Sequence, residues 1–366
     1  MPKKYDYLVV GSGLFGSVFA RTVAERGRSA LVIDKRNHVG GNVYTEEREA
    51  IQVHIYGPHI FHTKSKMIWE YVNRFAEFNQ YRHKVVAYHD GKLYSLPFNL
   101  TTFNQFWGCI TPADAKRELE KRRVRIEKPS NLEEFALSQV GEEIYQTLIY
   151  GYTKKQWHRE PRDLPAAIIR RIPIRFAYDD NYYDEGSYQG IPVQGYTALV
   201  QRILMNVEVK LECDLKVLTN WRSLANKLVY SGPIDELFGC RFGPLEYRSL
   251  HFEHTVQEGD YQGVAQMNYT SDKVPFTRVV EHRHFTNTSG NKSVVTFEYP
   301  ANWQPGKEKY YPVNDEKNRG LFEKYMALSK EEPDVIIGGR LGFYKYYDMD
   351  QTIAHALTKA EEELAI

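Results

Sequence analysis

The first apolar run in the chain is YDYLVV, followed by GSGLFGSVFA and, after a short polar break, by SALVI. Read as periodicity, Tyr5 to Val10 is a short strand, Gly16 to Arg26 a helix, and Ser29 to Ile33 a second strand ending on Asp34, together a β-α-β unit. From Thr101 to Ile149 the apolar positions move to helical spacing. In NLEEFALSQVGEEIYQTLI, Leu132, Phe135, Val140, Ile144 and Leu148 fall near one face and Asn131 can cap the start, which predicts a helical insertion. The stretch from Phe176 to Tyr188, rich in Tyr, Asp and Gly, suits a loop or strand edge. Between Leu245 and Tyr299 the runs SLHFEHTV, GVAQMNYT, TRVVEHRHF and SVVTFEY alternate apolar and polar residues between turn signals, predicting an antiparallel sheet with one covered face. DVIIGGRLGFYKYYDMDQTIAHALTKAEEEL then joins an apolar run, a Gly pair, an aromatic segment and an amphipathic helix, which reads as a return to the first unit.

A chain of 366 residues with 42% hydrophobic content can bury a substantial core and divide into two or three units. Lys plus Arg number 48 against 47 Asp plus Glu, so no molecule-wide field favours nucleic acid or an anionic membrane. An anionic ligand must therefore be met by a local cluster of Arg. No stretch approaches the apolar length that spans a bilayer, and MPKKYDYLVVGSG lacks the form of a secretory signal. Cys109, Cys213 and Cys240 are widely spaced without a CxxC pair or a His set, which argues against a disulfide framework and against any metal. These features predict a cytoplasmic protein without membrane insertion.

Gly11, Gly13 and Gly16 form GxGxxG directly after a strand and at the opening of a helix, the context that makes this motif a dinucleotide site. Gly11 allows the tight turn, Gly13 lets the backbone approach a pyrophosphate, and Gly16 permits close packing of the helix, whose N-terminus favours anions. Asp34, at the end of the second strand, can accept hydrogen bonds from a ribose. Lys35, Arg36 and then Val39-Gly40-Gly41-Asn42 follow it, an acid, basic residues and a glycine pair. This looks like the extended fingerprint of FAD enzymes of the amine-oxidase and glutathione-reductase type, with Gly41 and Asn42 bordering the cofactor. The late GGR, with Gly339 and Arg340, looks like the distant strand that returns to the flavin in such proteins. An FAD-dependent amine or alcohol oxidoreductase shares this fingerprint. An NAD-dependent nucleotide-sugar epimerase is a further alternative, because Tyr150 and Lys154 make YxxxK, although Tyr269 and Lys273 repeat it in a chain with 27 Tyr.

At YGPHIFHT (56–63), GYTKKQWHR (151–159), RRIPIRF (170–176), FGPLEYRSL (242–250), TRVVEH (277–282), YYPVND (310–315) and YKYYDMDQ (344–351) the sequence resembles bacterial UDP-galactopyranose mutases, over nearly its whole length. The resemblance implies an α/β fold with a Rossmann-like FAD-binding domain (1–65, 190–242 and 332–366). It adds a helical insertion domain (100–175) with a mobile substrate loop near 158–180, and an antiparallel sheet domain (66–99, 176–189 and 243–331). It also implies a homodimer. The implied reaction is UDP-galactopyranose to UDP-galactofuranose by covalent catalysis from N5 of reduced FAD, supplying cell-surface polysaccharide synthesis.

Arg171 and Arg278 each offer a planar fork for a diphosphate, and the resemblance assigns both to catalysis and to the substrate pyrophosphate. By the same resemblance Tyr152 and Trp157 stack on or close over the uracil, and Tyr182, Tyr311 and Tyr346 donate hydroxyls to phosphate oxygens. His59 and His62 lie in the loop placed against the isoalloxazine, His62 with a catalytic part. Asp348 precedes the last helix with Gln351 at capping-box spacing. With Met349 it would set that helix N-terminus against the flavin, where it stabilises negative charge on the reduced ring, and Asp348 is also expected to touch substrate. Pro58 and His158 stand where smaller residues are expected, and His83 where some members carry Asn. Prolines 161, 165 and 173 punctuate the segment after Trp157, as hinges of a closing loop would require.

Overall fold

The apolar runs at both ends of the chain meet in one parallel sheet, whose inner strands are largely buried, as a sheet covered on both faces requires. Its strands lie in the order Val335–Ile337, Ala225–Tyr230, Tyr5–Val10, Ala30–Ile33, Glu208–Lys210. The structure, a computed structural model, describes residues 4–170, 172–184, 186–218, 220–313 and 315–365. The expected β-α-β unit is present, with its helix at Leu14–Glu25 and both flanking strands parallel. The predicted return is present too: Val335–Ile337 pairs parallel to Ala225–Tyr230 at the sheet edge, and the helix Met349–Leu364 packs on Leu14–Glu25. Val9, Val18, Phe19, Val32, Tyr196 and Ile353 are buried together in this core. The helix Lys66–Asn73 joins the same cluster through Ile68, Tyr71 and Val72.

The insertion consists of the helices Leu100–Trp107, Pro112–Arg122 and Leu132–Ile144, which continues through π-helical turns at Tyr145–Tyr150 into Gly151–Trp157. Each of the first three has a side-chain N-cap, Asn99, Thr111 and Asn131, and the Asn131 carboxamide accepts from the Glu134 amide at 2.9 Å as expected. Leu132, Val140, Ile144 and Leu148 form the buried face, with Phe135 partly covered beside them. The face is not one continuous helix, because Gly141 takes a non-helical conformation and breaks it.

The second large sheet has seven strands, in the order Tyr311–Pro312, Tyr247–Glu258, Lys292–Asn302, Arg278–Glu281, Gln266–Tyr269, Val85–His89, Lys92–Leu96. The four predicted alternating runs supply its centre. It departs from the antiparallel expectation at one junction, where Gln266–Tyr269 runs parallel to Val85–His89. The hairpin Val85–Leu96 reaches the sheet from a distant chain segment, and long connections leave strand direction free. A two-stranded pairing of Phe61–Thr63 with Tyr188–Gly190 sets His62 opposite Gln189, fastening the GPHIFH loop to the segment that carries Tyr182 and Tyr183.

Candidate functional site

At the end of the first strand the glycines do what their spacing predicts. Gly11 has φ +100°, and a Cβ there would lie 2.3 Å from the Ser231 hydroxyl oxygen. A Cβ on Gly16 would lie 2.0 Å from the Gly11 carbonyl oxygen, so only glycine lets the helix sit this close. Gly13 meets nothing nearer than 3.8 Å and caps the helix without a side chain, which leaves an open backbone approach to free helix N–H groups. The second glycine cluster folds over the first: the Gly40 amide donates to the Ser12 carbonyl at 2.9 Å, and a Cβ on Gly41 would be 3.0 Å from Gly13 Cα. The cradle is shaped for a polyanion carried on backbone N–H groups, as a dinucleotide pyrophosphate is.

Asp34 is 7% exposed, and its Oδ2 accepts from the Ser12 amide at 2.8 Å and the Ser12 hydroxyl at 2.7 Å, its Oδ1 from the Arg36 amide at 3.0 Å. It thus braces the glycine turn. Lys35 and Arg36 both reach Glu308, at 3.4 and 2.8 Å, and Arg36 also donates to Asn42 and lies over the Tyr56 ring. Gly339 packs near Ser231 and Phe15, beside the same turn. The guanidinium of Arg340 has no hydrogen bond or ion pair among the described residues, and its charge is felt at His59 and Tyr311.

A second group converges above the sheet. Arg278 donates through Nε and Nη2 to one oxygen of Glu298, at 2.9 and 2.7 Å. Glu298 is fully buried, and its other oxygen has no partner among the described residues. Burial opposes the charge of Arg278, but the Glu298 carboxylate beside it more than offsets this and raises the guanidinium pKa well above its ordinary value. Nη1 is left without a partner among the described residues. Burial pushes the Tyr152 hydroxyl up and that of Tyr311 up to about 12, both against the opposing pull of Arg278, so both remain donors at neutral pH. Tyr346 stacks on Tyr311 with centroids 6.0 Å apart, and Tyr182 packs edge-on to His83 at 5.3 Å.

His62 stacks on Tyr183 at 3.7 Å, and the His59 ring bonds the Gly57 carbonyl at 2.8 Å. Desolvation brings His59 down to about 4 and His83 to about 3, so both rings are neutral. Asp348 is the N-cap residue of the last helix; its amide donates to Gln351 Oε1 at 3.1 Å, and Met349 packs against the first core.

The geometry thus gathers Tyr152, Tyr182, Arg278, Tyr311, Tyr346, Arg340, His59 and His62 into one region through mutual ring contacts and fields. Trp157 packs instead against the helical core, and Arg171 lies outside the described residues. The YxxxK pair is spent elsewhere, since the Tyr150 hydroxyl and Lys154 both engage Glu160, at 3.1 and 2.7 Å, while Lys273 pairs with Asp90. Three contributors went unread in the sequence: Glu298, Tyr183, and Arg175, which bonds the Asn181 and Tyr183 carbonyls and so shapes the tyrosine segment. Only Glu298 left a signal, an acid on the inward face of an alternating strand.

A Rossmann-type glycine cradle is the mark of dinucleotide-binding proteins, and here it shares the molecule with an Arg–Tyr cluster. The NAD(P)-binding Rossmann-like domain model matches residues 9–75, and the UDP-galactopyranose mutase model matches residues 147–346. The chain belongs to the UDP-galactopyranose mutase family, a family of isomerases. It is 41% identical to a probable UDP-galactopyranose mutase of Klebsiella pneumoniae, over 98% of this chain and 95% of that protein. It is 40% identical to a dTDP-fucopyranose mutase of Escherichia coli, over 97% of each. Its fold matches the crystal structure of a reduced UDP-galactopyranose mutase with a TM-score of 0.76 at 14% identity, over 99% of this chain and 96% of that one. Fold and family together point to a flavin cofactor.

Proposed function

We propose that the chain interconverts UDP-galactopyranose and UDP-galactofuranose, using FAD in its reduced form. Reduced flavin, when bound, supplies a nucleophilic nitrogen and a reservoir of electrons for a ring contraction without net redox. The glycine cradle would hold the pyrophosphate of the cofactor, with Asp34 bracing the turn and the N-terminus of the last helix favouring negative charge on the reduced ring. Tyr152 would carry the uracil. Arg278, with Arg171 and the hydroxyls of Tyr182, Tyr311 and Tyr346, would hold the substrate diphosphate and stabilise its charge as it departs. His59, as a neutral ring, and His62 would border the flavin.

The observation that carries this reading is the Arg278 guanidinium, oriented by a fully buried Glu298 with Nη1 left over and tyrosine hydroxyls around it. The test is to reconstitute the protein with FAD, reduce it with dithionite, add UDP-galactopyranose and look for the furanose. Many turnovers per reduction support the reading, and no furanose refutes it. The comparable identity to a dTDP-fucopyranose mutase supports a second substrate reading, so dTDP-fucopyranose belongs in the same assay and the ratio of kcat/KM decides between them. The proposal extends to a cytoplasmic homodimer supplying galactofuranose for cell-surface polysaccharide. Among the described residues no helix is long and apolar enough to cross a membrane.

A further inference from the structure

The helix Gly151–Trp157 carries both Tyr152 and Trp157 in seven residues. Its N-terminal end continues from the π-helical turns at Tyr145–Tyr150, a weak joint in regular helix geometry, so the seating of its far end depends on what it touches. Three contacts fix it. The Lys155 ammonium donates to the carbonyls of Tyr269 and Phe276, at 2.8 and 2.9 Å, spanning the turn that leads into the Arg278 strand. Arg248 Nε donates at 3.2 Å to the carbonyl of Gln156 in the last turn of the helix. Gly151 lies so close to the sheet that a Cβ there would stand 2.4 Å from the Thr270 carbonyl oxygen.

Two of these contacts are made by cations in unusual settings. Arg248 is 5% exposed and has no carboxylate partner among the described residues; its Nη1 goes to Asn302, and its Nη2 is buried and unpaired. Burial brings its pKa down to about 10, with Arg159 adding repulsion. Lys155 is brought down to about 8, also chiefly by burial, with Asp272 opposing. Arg248 is a buried cation without a carboxylate, which costs stability, and an apolar residue of similar size would pack more cheaply; Lys155, half-buried, carries a smaller cost of the same kind. What these two retain is a charged donor on a carbonyl: Arg248 on the C-terminal turn of the helix, where the macrodipole strengthens the bond, and Lys155 bridging that helix to the neighbouring turn.

We propose that Lys155 and Arg248 are positioning residues that lock the Tyr152 helix onto the sheet, so that the aromatic platform and Arg278 form one rigid unit. The inference rests on the nucleotide-sugar reading above, in which Tyr152 and Arg278 grip opposite parts of the same ligand. A platform held equally in ground and transition states acts on binding and not on turnover.

The test measures UDP affinity and the separate KM and kcat of the FAD-loaded, reduced enzyme. Lys155→Met and Arg248→Met are expected to raise KM and the UDP Kd by about 10–100-fold, the worth of a hydrogen bond to a charged group. kcat should stay within about threefold. Arg248→Lys, which keeps a charged donor, should recover most of the affinity. Gly151→Ala perturbs the same lock without touching either charge and should raise the UDP Kd by a similar factor, which keeps the test decisive if a methionine variant fails to fold. UDP affinity within twofold of wild type in the folded variants, or a fall in kcat with KM unmoved, overturns the clamp alone. Failure of wild-type protein to bind UDP overturns the functional reading on which it rests.

Discussion

Arg278 pairs with a fully buried Glu298, so a change at the arginine is expected to touch stability as well as the proposed chemistry. Removing the arginine would leave Glu298, 0% exposed, as an uncompensated buried carboxylate, a defect worth about 3–5 kcal/mol. Arg278→Ala is therefore expected to lower kcat by roughly 10²–10³ and also to lower the melting temperature. Glu298→Gln keeps the shape but loosens the fork, and should raise the UDP Kd while leaving bound flavin unchanged. A variant of Arg278 with near-normal turnover would remove it from the mechanism. The arginine was legible because a guanidinium in a specific motif points to a diphosphate. Glu298 left only the faint signal of an acid in an alternating strand, because within FEYP it resembles any strand acid and its meaning depends on which strand lies opposite. Registry across Arg278–Glu281 and Lys292–Asn302 is tertiary information.

The buried histidines give a second prediction at this scale. His54, His59 and His83 are held neutral, chiefly by desolvation, with pKa values brought to about 3, 4 and 3. The unfolded chain protonates them near 6.5, so it binds more protons than the folded one between that value and about 4. Stability contributed by the neutral rings is thus present above about pH 6.5 and lost as pH falls through that window. Denaturant unfolding from pH 7 to pH 4 should show the decline, and His83→Asn should flatten it. A slope unchanged in His83→Asn would contradict the burial assigned to that ring.

Among the elements, the segment after Trp157 is the one expected to respond to ligand. Arg159 reaches Glu246 and Asp315 at 3.7 and 3.6 Å, exposed pairs of little strength. Arg175 ties the following stretch to the Asn181 and Tyr183 carbonyls and, through its amide, to Phe98 at 2.8 Å. If residues 158–180 close over substrate, limited proteolysis there should slow in the presence of UDP while cleavage elsewhere is unchanged. Equal rates would count against a gated loop. Elements with strong local signals were readable from sequence: the glycine turn, the Asn131 cap and the alternating strands. The break at Gly141, the π-helical turns and the parallel junction were not, because helical spacing does not record a kink and alternation does not record strand direction.

For the whole molecule, sequence motifs discriminate among functions better than the architecture alone would. Short-chain epimerases and flavin oxidases share glycine-rich strand–turn–helix units, and the distinction here came from residues scattered over Tyr152, Arg278, Tyr311 and Tyr346, which the fold brings together from the insertion, the sheet and the C-terminal return. What folding added was the division of labour among charges. Lys35, Arg36 and Lys154 neutralise local acids, while Arg278 Nη1 and the Arg340 guanidinium are left without partners among the described residues. With a net charge of +1 the molecule as a whole offers little attraction to an anion, so the proposed diphosphate site must rely on local arginines.

The most direct measurement is a turnover count on the FAD-loaded protein reduced once under anaerobic conditions and supplied with UDP-galactopyranose. Many furanose molecules per flavin, with no oxidant consumed and with the rate lowered by roughly 10²–10³ in Arg278→Ala, is the result predicted. At most one product per reduced flavin, or product formation coupled to stoichiometric flavin oxidation, would contradict the account and return the protein to the oxidoreductases.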